Sequence, residues 1–496
     1  MTELLQPMSP LYEDYLRDES RLQGEAQYIA FAHSVQEIGE VLAFSRRNSL
    51  PVTVQGSRTG IAGAAVPQGG VILNLTRMNR IDPVVVHPDG SATVTVEPGV
   101  LCSQLAQWLE KQPGGWFFPP DPTETSATLG GLFGCNARGV SSYRYGPAAA
   151  HVQGVELLLQ DGSPLTIRRG ECLLDDSGCT LPDGRRLALP PLPQTSSLPG
   201  LPCRGEDLLD LLAGSEGMLG VVTRLTLGLQ PRPQEQWGVL FFFAGPEAAL
   251  DYVTQVEALQ SPLLCCAEFF DQPSLALVEA HRATMSSLRA IPDFPQGSRA
   301  AVYLELAAEE GQAEETLMTL LEAFEAMGGG QEQSWAGTGP GEMEKFRVLR
   351  HAVPEAINTQ VDLLRRQLPQ LHKLGLDFQC GDFTPLALYQ LYAHGLAASG
   401  LCGYIFGHAL QRHFHVNLLP QNDAQLQTAQ RLITQLAGEL ARRGGTLAAE
   451  NGVGKLKGGL VGGYLSPAQK ETLAAVRSFF DPMGLLNPAN MRFGSD

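Results

Sequence analysis

The chain carries the stretch Val52-Thr53-Val54-Gln55-Gly56-Ser57-Arg58-Thr59-Gly60, a β-branched run that ends in a glycine-rich turn. Further glycine-rich stretches follow at 128–139 and 214–223. Consecutive backbone N–H groups in such turns form a concave site for phosphate. None of the three ends in the Lys-Ser/Thr of a P-loop or has Gly-x-Gly-x-x-Gly within a β-α-β unit, which argues against an ATPase and a Rossmann fold. One such turn is usually only a turn, but three together predict a bound dinucleotide.

Length and charge narrow the class of protein. The chain has 496 residues, and 35 Lys and Arg against 52 Asp and Glu give a net charge of −17. The length predicts two or three domains. The negative charge argues against nucleic acid and anionic membrane surfaces as partners, because both need clustered cations.

The N-terminus and the cysteines indicate the compartment. Residues 1–19 lack the basic and apolar regions of a secretory signal, and no apolar stretch is long enough to span a membrane. The nine cysteines show no CxxC spacing, so reduced thiols in a cytoplasmic protein are the preferred interpretation. A metal role for Cys172, Cys179 and Cys203, which share one loop-rich stretch, is the minor alternative.

Hydrophobic periodicity predicts alternating strands and helices whose character changes after Pro231. We expect a helix over 20–50, a hairpin over 152–167, an exposed excursion over 170–205, and a terminal helix capped by Ser466. The predicted domains are residues 1–232, 233–445 and a C-terminal segment 446–496.

Three imidazoles occur within eight residues, at His408, His413 and His415, and Glu450 follows beyond a predicted helix. Two histidines and one carboxylate suit a divalent ion with open coordination positions, such as zinc. The alternative is that these histidines only satisfy nearby carbonyl groups.

Together these motifs resemble the vanillyl-alcohol oxidase / p-cresol methylhydroxylase flavoproteins. The three glycine-rich stretches resemble their FAD-binding motifs. Gly407-His408, His415-Val416-Asn417, Glu450-Asn451-Gly452 and Leu486-Asn487-Pro488 resemble the D-lactate, glycolate and D-2-hydroxyglutarate dehydrogenase branch. The resemblance implies an α+β protein, with a two-subdomain FAD-binding domain of the p-cresol methylhydroxylase type and an α/β cap domain with an antiparallel sheet.

The resemblance also implies which residues contact FAD. Noncovalent binding is expected, because Ser57-Arg58 stands where His-linked relatives supply a histidine. The implied contacts are Gly56, Ser57, Arg58, Thr59, Gly60, Gly63 and Ala64 in the first loop, Asp121, Ser126, Thr128, Gly131, Asn136 and Gly139 in the second, Glu216, Gly220 and Val221 in the third, and Asn487 in the tail.

On the substrate side, the resemblance implies His408, His415 and Glu450 as metal ligands and Arg350, Asn417 and Lys373 as substrate contacts. Relatives typically show Gly-His-x-Gly-Asp-Gly-Asn-x-His and Glu-His-Gly, and this chain departs from both patterns. Asn451 replaces the catalytic histidine and cannot accept a proton at neutral pH. His413 is the candidate substitute, and loss or alteration of dehydrogenation is the alternative. Tyr143 and Tyr145 either line the flavin pocket or pack.

The predicted function is FAD-dependent oxidation of a small 2-hydroxy acid, assisted by a divalent metal. Electrons would pass to a carrier protein or quinone, and the chain would act as a homodimer or as a subunit of a complex. The alternative is a FAD-binding subunit, or a non-redox flavoenzyme resembling alkylglycerone-phosphate synthase. A binding module without cofactor is the third class.

Overall fold

The computed structural model describes residues 4–122, 124–192, 203–369, 371 and 373–493. Contacts divide the chain into two units. The first unit contains 1–139, 146–232 and 448–496, and the second contains 140–145 and 233–447. Among the described helices, none combines the length and the apolar character that crossing a membrane requires.

The first unit contains two main sheets. In the four-stranded sheet, with the order β1-β2-β4-β3, β2, β4 and β3 run parallel and β1 is antiparallel. The second sheet has the antiparallel order β5-β6-β12-β8-β9, and β7 also pairs with β12. The strands are β1 (Gln6–Pro7), β2 (Tyr28–Phe31), β3 (Val52–Gln55), β4 (Val71–Asn74), β5 (Val85–Val86), β6 (Ala92–Val96), β7 (Trp116–Phe117), β8 (Val152–Leu158), β9 (Pro164–Arg168), β10 (Gly178–Thr180), β11 (Arg186–Ala188) and β12 (Val221–Pro231).

The helices of this part of the chain are short. They are α1 (Val35–Asn48), α2 (Cys102–Glu110), α3 (Leu129–Cys135) and α5 (Leu208–Leu212), with 3-10 turns at Pro10–Leu16 and Ala148–His151, whereas α4 (Ser142–Tyr145) belongs to the second unit. The apolar face of α1 packs on the parallel strands, and Leu158 and Val221 of the second sheet join the same core.

The predicted helix over 20–50 is wrong in its first half. Residues Tyr28–Phe31 form a strand parallel to β4, and α1 begins only after Ser34, whose hydroxyl accepts a hydrogen bond from the Glu37 amide. The predicted hairpin over 152–167 is confirmed by the pairing of β8 with β9. Within the predicted excursion over 170–205, β10 and β11 form a short hairpin, and residues 193–202 lie outside the described residues.

The second unit is built on a seven-stranded antiparallel sheet with the order β16-β13-β15-β14-β18-β19-β17. Its strands are β13 (Glu235–Phe243), β14 (Leu264–Asp271), β15 (Ala300–Ala308), β16 (Ser334–Thr338), β17 (Leu374–Gln379), β18 (Gly403–His408) and β19 (His413–Leu418). Its helices are α6 (Pro246–Ala258), α7 (Gln272–His281), α8 (Ala313–Ala326), α9 (Gly339–Leu364), α10 (Pro385–Ser399) and α11 (Asp423–Arg442), with 3-10 turns at Ser286–Ala290, Gln331–Gln333 and Ala409–Gln411.

The two faces of this sheet differ in chemistry. One face is aromatic: Phe241 packs on Tyr252 of α6 and Phe324 of α8, and Phe269 packs on Tyr389 of α10. The opposite face contacts α9, because Phe346 of that helix stacks on Tyr303 with ring centres 5.1 Å apart. The polar residues described below lie on this opposite face.

The C-terminal segment adds α12 (Gly458–Gly462) and α13 (Pro467–Phe480) to the first unit. Ser466 caps α13 as predicted, since its hydroxyl accepts a hydrogen bond from the Gln469 amide at 3.2 Å. The tail then pairs with β3, where the Val52 amide donates to the Leu485 carbonyl and the Asn487 amide donates to the Val52 carbonyl. The α+β architecture with an antiparallel sheet is confirmed.

Candidate active site and cofactor loops

The first glycine-rich loop leaves β3 at Gly56, where the side chain of Thr128 approaches closely. A Cβ added to Gly56 would lie 2.1 Å from the hydroxyl oxygen of Thr128, so only glycine fits there. Gly63 has a φ of +76°, which L side chains rarely adopt. Gly60 is exposed, with nothing within 4 Å of an added Cβ. The loop therefore presents bare backbone to open space. The other predicted contacts in it, Ser57, Arg58 and Thr59, are half-buried, as is Ala64.

The second loop is organised by the short helix α3. Thr128 caps it by accepting a hydrogen bond from the Gly131 amide at 3.2 Å, and Asn136 ends it with a φ of +49°. The Asn136 side chain accepts from the Ala149 amide at 3.0 Å. Further along, a Cβ added to Gly139 would lie 2.2 Å from the Asp121 carbonyl oxygen. Of the predicted contacts, Ser126 donates its hydroxyl proton to Glu124 at 2.6 Å.

The third loop is hydrogen-bonded to the second. The Gly214 amide donates to the Phe133 carbonyl at 2.9 Å, and the Glu216 amide donates to the Gly134 carbonyl at 2.7 Å. Gly220 has a φ of +147°, and Val221 is buried at the start of β12. The first loop meets the second at the contact between Gly56 and Thr128. The structure therefore brings all three predicted FAD loops together within the first unit.

The carboxylate of Glu216 is buried and bonded to the protein itself. It accepts from the Val453 amide at 2.6 Å and from the Gly454 amide at 2.9 Å. Burial raises the pKa of Glu216, although these amides and the charge of Lys455 act in the opposite direction. The sequence motif placed Glu216 beside FAD. Its carboxylate holds the C-terminal segment, which the motif does not reveal.

The C-terminal segment is hydrogen-bonded to the glycine-rich loops. The side-chain oxygen of Asn487 accepts from the Val54 amide at 2.8 Å, and its amide group donates to the Glu216 carbonyl. Lys455 donates to the Gly63 and Ala64 carbonyls, each at 3.2 Å. Asn487 was predicted from the sequence as a FAD contact, which stays a prediction, and Lys455, which carries no recognisable motif, was missed.

In the second unit, strand register places the three predicted imidazoles on one face. His408 at the end of β18 pairs with His413 at the start of β19, and His415 pairs with Phe406. Because side chains alternate along a strand and cross-strand partners share a face, His408, His413 and His415 point to the same side. Their ring centres are 5.4, 5.3 and 4.8 Å apart.

Two buried carboxylates hold two of these imidazoles. Glu268 on β14 lies 2.5 Å from Nδ1 of His408, and Asp377 on β17 lies 3.0 Å from Nε2 of His413. Burial alone would raise the pKa of Glu268, but the charges of His408 and Arg350 and the hydrogen bond hold it well below its usual range. Sequence reasoning missed both carboxylates. The only signal was their place at alternate positions of apolar strands.

The predicted substrate contacts lie near the same face. Arg350 on α9 is half-buried, one turn after Phe346, and close enough to lower the pKa of Glu268. Asn417 is buried and shares a strand face with His413 and His415. Lys373 directly precedes β17 and is half-buried.

The remaining predicted residues are distributed between the two units. Tyr143 borders a small cleft of the second unit together with Glu268 and His408, whereas Tyr145 packs under Arg144. Glu450 and Asn451 belong to the first unit and are half-buried. The assignment of His408, His415 and Glu450 as metal ligands stays a prediction.

The imidazole cluster is compatible with a metal ion. Three imidazoles bound to one ion at about 2.0–2.1 Å with tetrahedral angles place their ring centres about 5 Å apart. The ring centres of His408 and His415, the two histidines predicted as ligands, are 5.3 Å apart, which fits this value. Metal-binding histidines also usually donate their other nitrogen to a carboxylate, as His408 is placed to do with Glu268.

Several curated proteins are similar to this chain along most of their length. D-lactate dehydrogenase of Anaerostipes hadrus is 28% identical over 97% of this chain and 92% of its own. Glycolate oxidase subunit GlcD of Bacillus subtilis is 26% identical over 92% and 87%. The mitochondrial D-2-hydroxyglutarate dehydrogenase of Bos taurus is 25% identical over 98% and 79%.

Solved structures share the fold at lower identity. The 4-ethylphenol oxidase from Gulosibacter chungangensis superposes with a TM-score of 0.69 at 15% identity, covering 100% of this chain and 95% of its own. An alkyldihydroxyacetonephosphate synthase superposes with a TM-score of 0.64 at 15% identity, covering 98% and 82%.

Two family profiles match the chain. The profile described as "FAD binding domain" matches residues 26–168, and the one described as "FAD linked oxidases, C-terminal domain" matches residues 232–491. The second match alone spans more than half of the 496 residues. The chain therefore belongs to the FAD-linked oxidases, and the predicted resemblance to the vanillyl-alcohol oxidase / p-cresol methylhydroxylase flavoproteins is confirmed.

Proposed function

We propose that this protein oxidises a small 2-hydroxy acid, such as D-lactate, glycolate or D-2-hydroxyglutarate, with noncovalent FAD. The observation that carries the proposal is the buried pair of Asp377 and His413, which lies on the imidazole face approached by Arg350. A hydrogen-bonded carboxylate and imidazole form a general base, and a nearby guanidinium binds carboxylates. The relatives named D-lactate dehydrogenase and glycolate oxidase support the same substrate class.

The three loops of the first unit would hold FAD. Bare backbone at Gly60 and open space above Gly134 in the second loop suit a ligand that is gripped by main-chain amides. The absence of histidine in residues 56–64 supports noncovalent binding. When bound, FAD supplies a hydride acceptor for the carbon that carries the substrate hydroxyl.

His413 would remove the hydroxyl proton. Asp377 engages Nε2, so proton exchange takes place at Nδ1, and the carboxylate stabilises the imidazolium that forms. This arrangement supplies a base that Asn451 cannot provide.

The same face would bind the acid. Arg350 would hold the carboxylate through a two-pronged hydrogen bond, and Asn417 and Lys373 would contact the remaining polar atoms. A divalent ion such as zinc, bound by His408, His415 and Glu450, would polarise the hydroxyl. Glu268 would orient His408 for this role.

The proposal also includes the electron acceptor, the oligomeric state and the location of the protein. Electrons would leave to a carrier protein or a quinone, and the chain would act as a homodimer or within a larger complex. A cytoplasmic location fits the nine cysteines without CxxC spacing.

The test is anaerobic mixing of the purified flavoprotein with a panel of 2-hydroxy acids. Bleaching of the flavin near 450 nm is expected for at least one acid, and His413→Ala is expected to slow it about 100-fold. His394→Gln, an exposed histidine on α10, is the matched control and should not change the rate. An oxidised spectrum with every acid would refute the proposal.

A second candidate is a non-redox role, either as a FAD-binding subunit or in a reaction like that of alkylglycerone-phosphate synthase. Asn451 favours it, because the family's catalytic imidazole is missing at that position. If Asn451→His gains turnover while the wild type has none, the site has lost its base and this candidate is preferred.

A further inference from the structure

The turn between β18 and β19 has a histidine of the candidate site at each end. It spans residues 409–412, with His408 before it and His413 after it. Gln411 is tied to β17, since the Gln379 side chain donates to its carbonyl at 3.0 Å. Leu410 and Gln411 border the cleft that also contains Glu268 and His408. A shift of this turn would therefore move both imidazoles.

Arg412 occupies this turn in a conformation that favours glycine. Its φ is +50°, which costs an ordinary residue roughly 1–2 kcal/mol. An arginine retained here must gain contacts that offset the strain.

Those contacts are made by the guanidinium group. It forms a two-pronged ion pair with Glu257 of α6, in which one N–O distance is 2.7 Å. The same group donates to the Leu410 carbonyl at 2.7 Å and to the Phe383 carbonyl at 3.3 Å. The Arg412 and Glu257 side chains are only 20% and 31% exposed, so solvent screens the pair less than it screens a surface pair.

We propose that Glu257 and Arg412 form a clamp that positions His408 and His413 for the reaction. Both are positioning residues, since they act through the turn and not on the substrate. The clamp connects α6 to the turn and keeps His413 against Asp377 and His408 against Glu268. A misplacement of about 1 Å in such a site costs up to 100-fold in rate. This inference rests on the proposed function for its rate effect, but not for its effect on the turn.

Two variants separate the clamp from backbone strain. Glu257→Gln keeps the shape of the side chain and removes its charge. Arg412→Gly removes the side chain and, because glycine adopts a positive φ freely, also removes the backbone strain. The matched control is Glu439→Gln, which breaks the pair between Glu439 and Arg442 on α11, where Arg442 is 71% exposed. The double variant Glu257→Gln/Arg412→Gly tests whether the two residues act as one unit.

We expect the limiting rate of flavin reduction to fall at least 10-fold in both single variants, with substrate affinity and FAD content within twofold of wild type. The double variant should be no slower than Arg412→Gly alone, and the control should match wild type. Hydrogen exchange of residues 409–414 in the resting protein should accelerate at least 10-fold in both variants. Additive rate losses, or rates within twofold of wild type, would overturn the clamp.

Hydrogen exchange distinguishes failure of the clamp from failure of the proposed function. If no acid reduces the wild-type flavin, the proposed function fails, yet faster exchange in Glu257→Gln still supports the clamp. If exchange in residues 409–414 is unchanged, the clamp is refuted whatever the rates.

Discussion

Lys455 provides the sharpest test of how the cofactor loops are held. Its ammonium group donates to the carbonyls of Gly63 and Ala64 at 3.2 Å and to Asn490 at 2.5 Å. Hydrogen bonds from a charged donor contribute about 1.5–3 kcal/mol each, but burial of the ammonium costs several kcal/mol. Each of the two carbonyls also keeps a second hydrogen-bond donor. We therefore expect Lys455→Met to reduce the free energy that keeps the loop ordered by about 2 kcal/mol.

That loss should appear in FAD binding, because the loop must be ordered to bind. A loss of about 2 kcal/mol raises the FAD dissociation constant about 30-fold, measured by flavin fluorescence on reconstitution of the apoprotein. Lys470→Met, an exposed lysine on α13, is the control and should bind FAD normally. If Lys455→Met binds FAD within threefold of wild type, the tail does not order the loop.

The same lysine gives a pH dependence of known sign. Burial lowers its pKa to about 8, while Glu216 and Asp18 partly oppose this shift. The group is therefore mostly charged at pH 7 and mostly neutral at pH 9. If the Lys455 charge stabilises the bound anionic cofactor, the affinity of the wild type for FAD should fall as the pH rises from 7 to 9. The affinity of Lys455→Met should not change over this range. Parallel profiles would assign the pH effect to another group.

Three further changes test other parts of the site. Gly56→Ala should lower FAD occupancy and thermal stability, since its Cβ would clash with the Thr128 hydroxyl at a cost of about 1–3 kcal/mol, and adding Thr128→Ala should restore part of both. Asp377→Asn should slow flavin reduction about 100-fold at unchanged FAD content, because it removes the charge that supports the His413 imidazolium, and stopped-flow absorbance measures this. Glu216→Gln should lower the melting temperature, since its NH2 group would replace Oε2, which accepts from the Gly454 amide at 3.0 Å, and would face that donor; an unchanged melting curve would contradict this.

Local sequence patterns predicted the elements that local interactions determine. The β8–β9 hairpin follows from alternating residues around Asp161-Gly162, and α13 begins at its predicted cap, Ser466. The strand Tyr28–Phe31 was missed because its partner, β4, lies about forty residues later and periodicity carries no record of that pairing.

In the candidate site, too, local sequence predicted some residues, and the contacts between distant parts of the chain were missed. Its histidines were visible in one short stretch, but their carboxylate partners were not. Glu268 lies 140 residues from His408 in sequence, and Asp377 lies 36 residues from His413. Both contacts depend on sheet register, which no sequence window contains.

The departures from the family pattern are matched by partners, which argues for an altered site and against a decaying one. A buried histidine without a partner would cost about 1–3 kcal/mol, yet His413 has Asp377. An arginine with a φ of +50° would by itself only add strain, yet Arg412 has Glu257. If the base has moved from the Asn451 position to His413, then His413→Asn should slow flavin reduction about 100-fold, and His413→Asn/Asn451→His should recover at least 10-fold of that loss. Equal inactivity of both variants, with FAD bound in each, would mean that the two positions do not exchange the role of base.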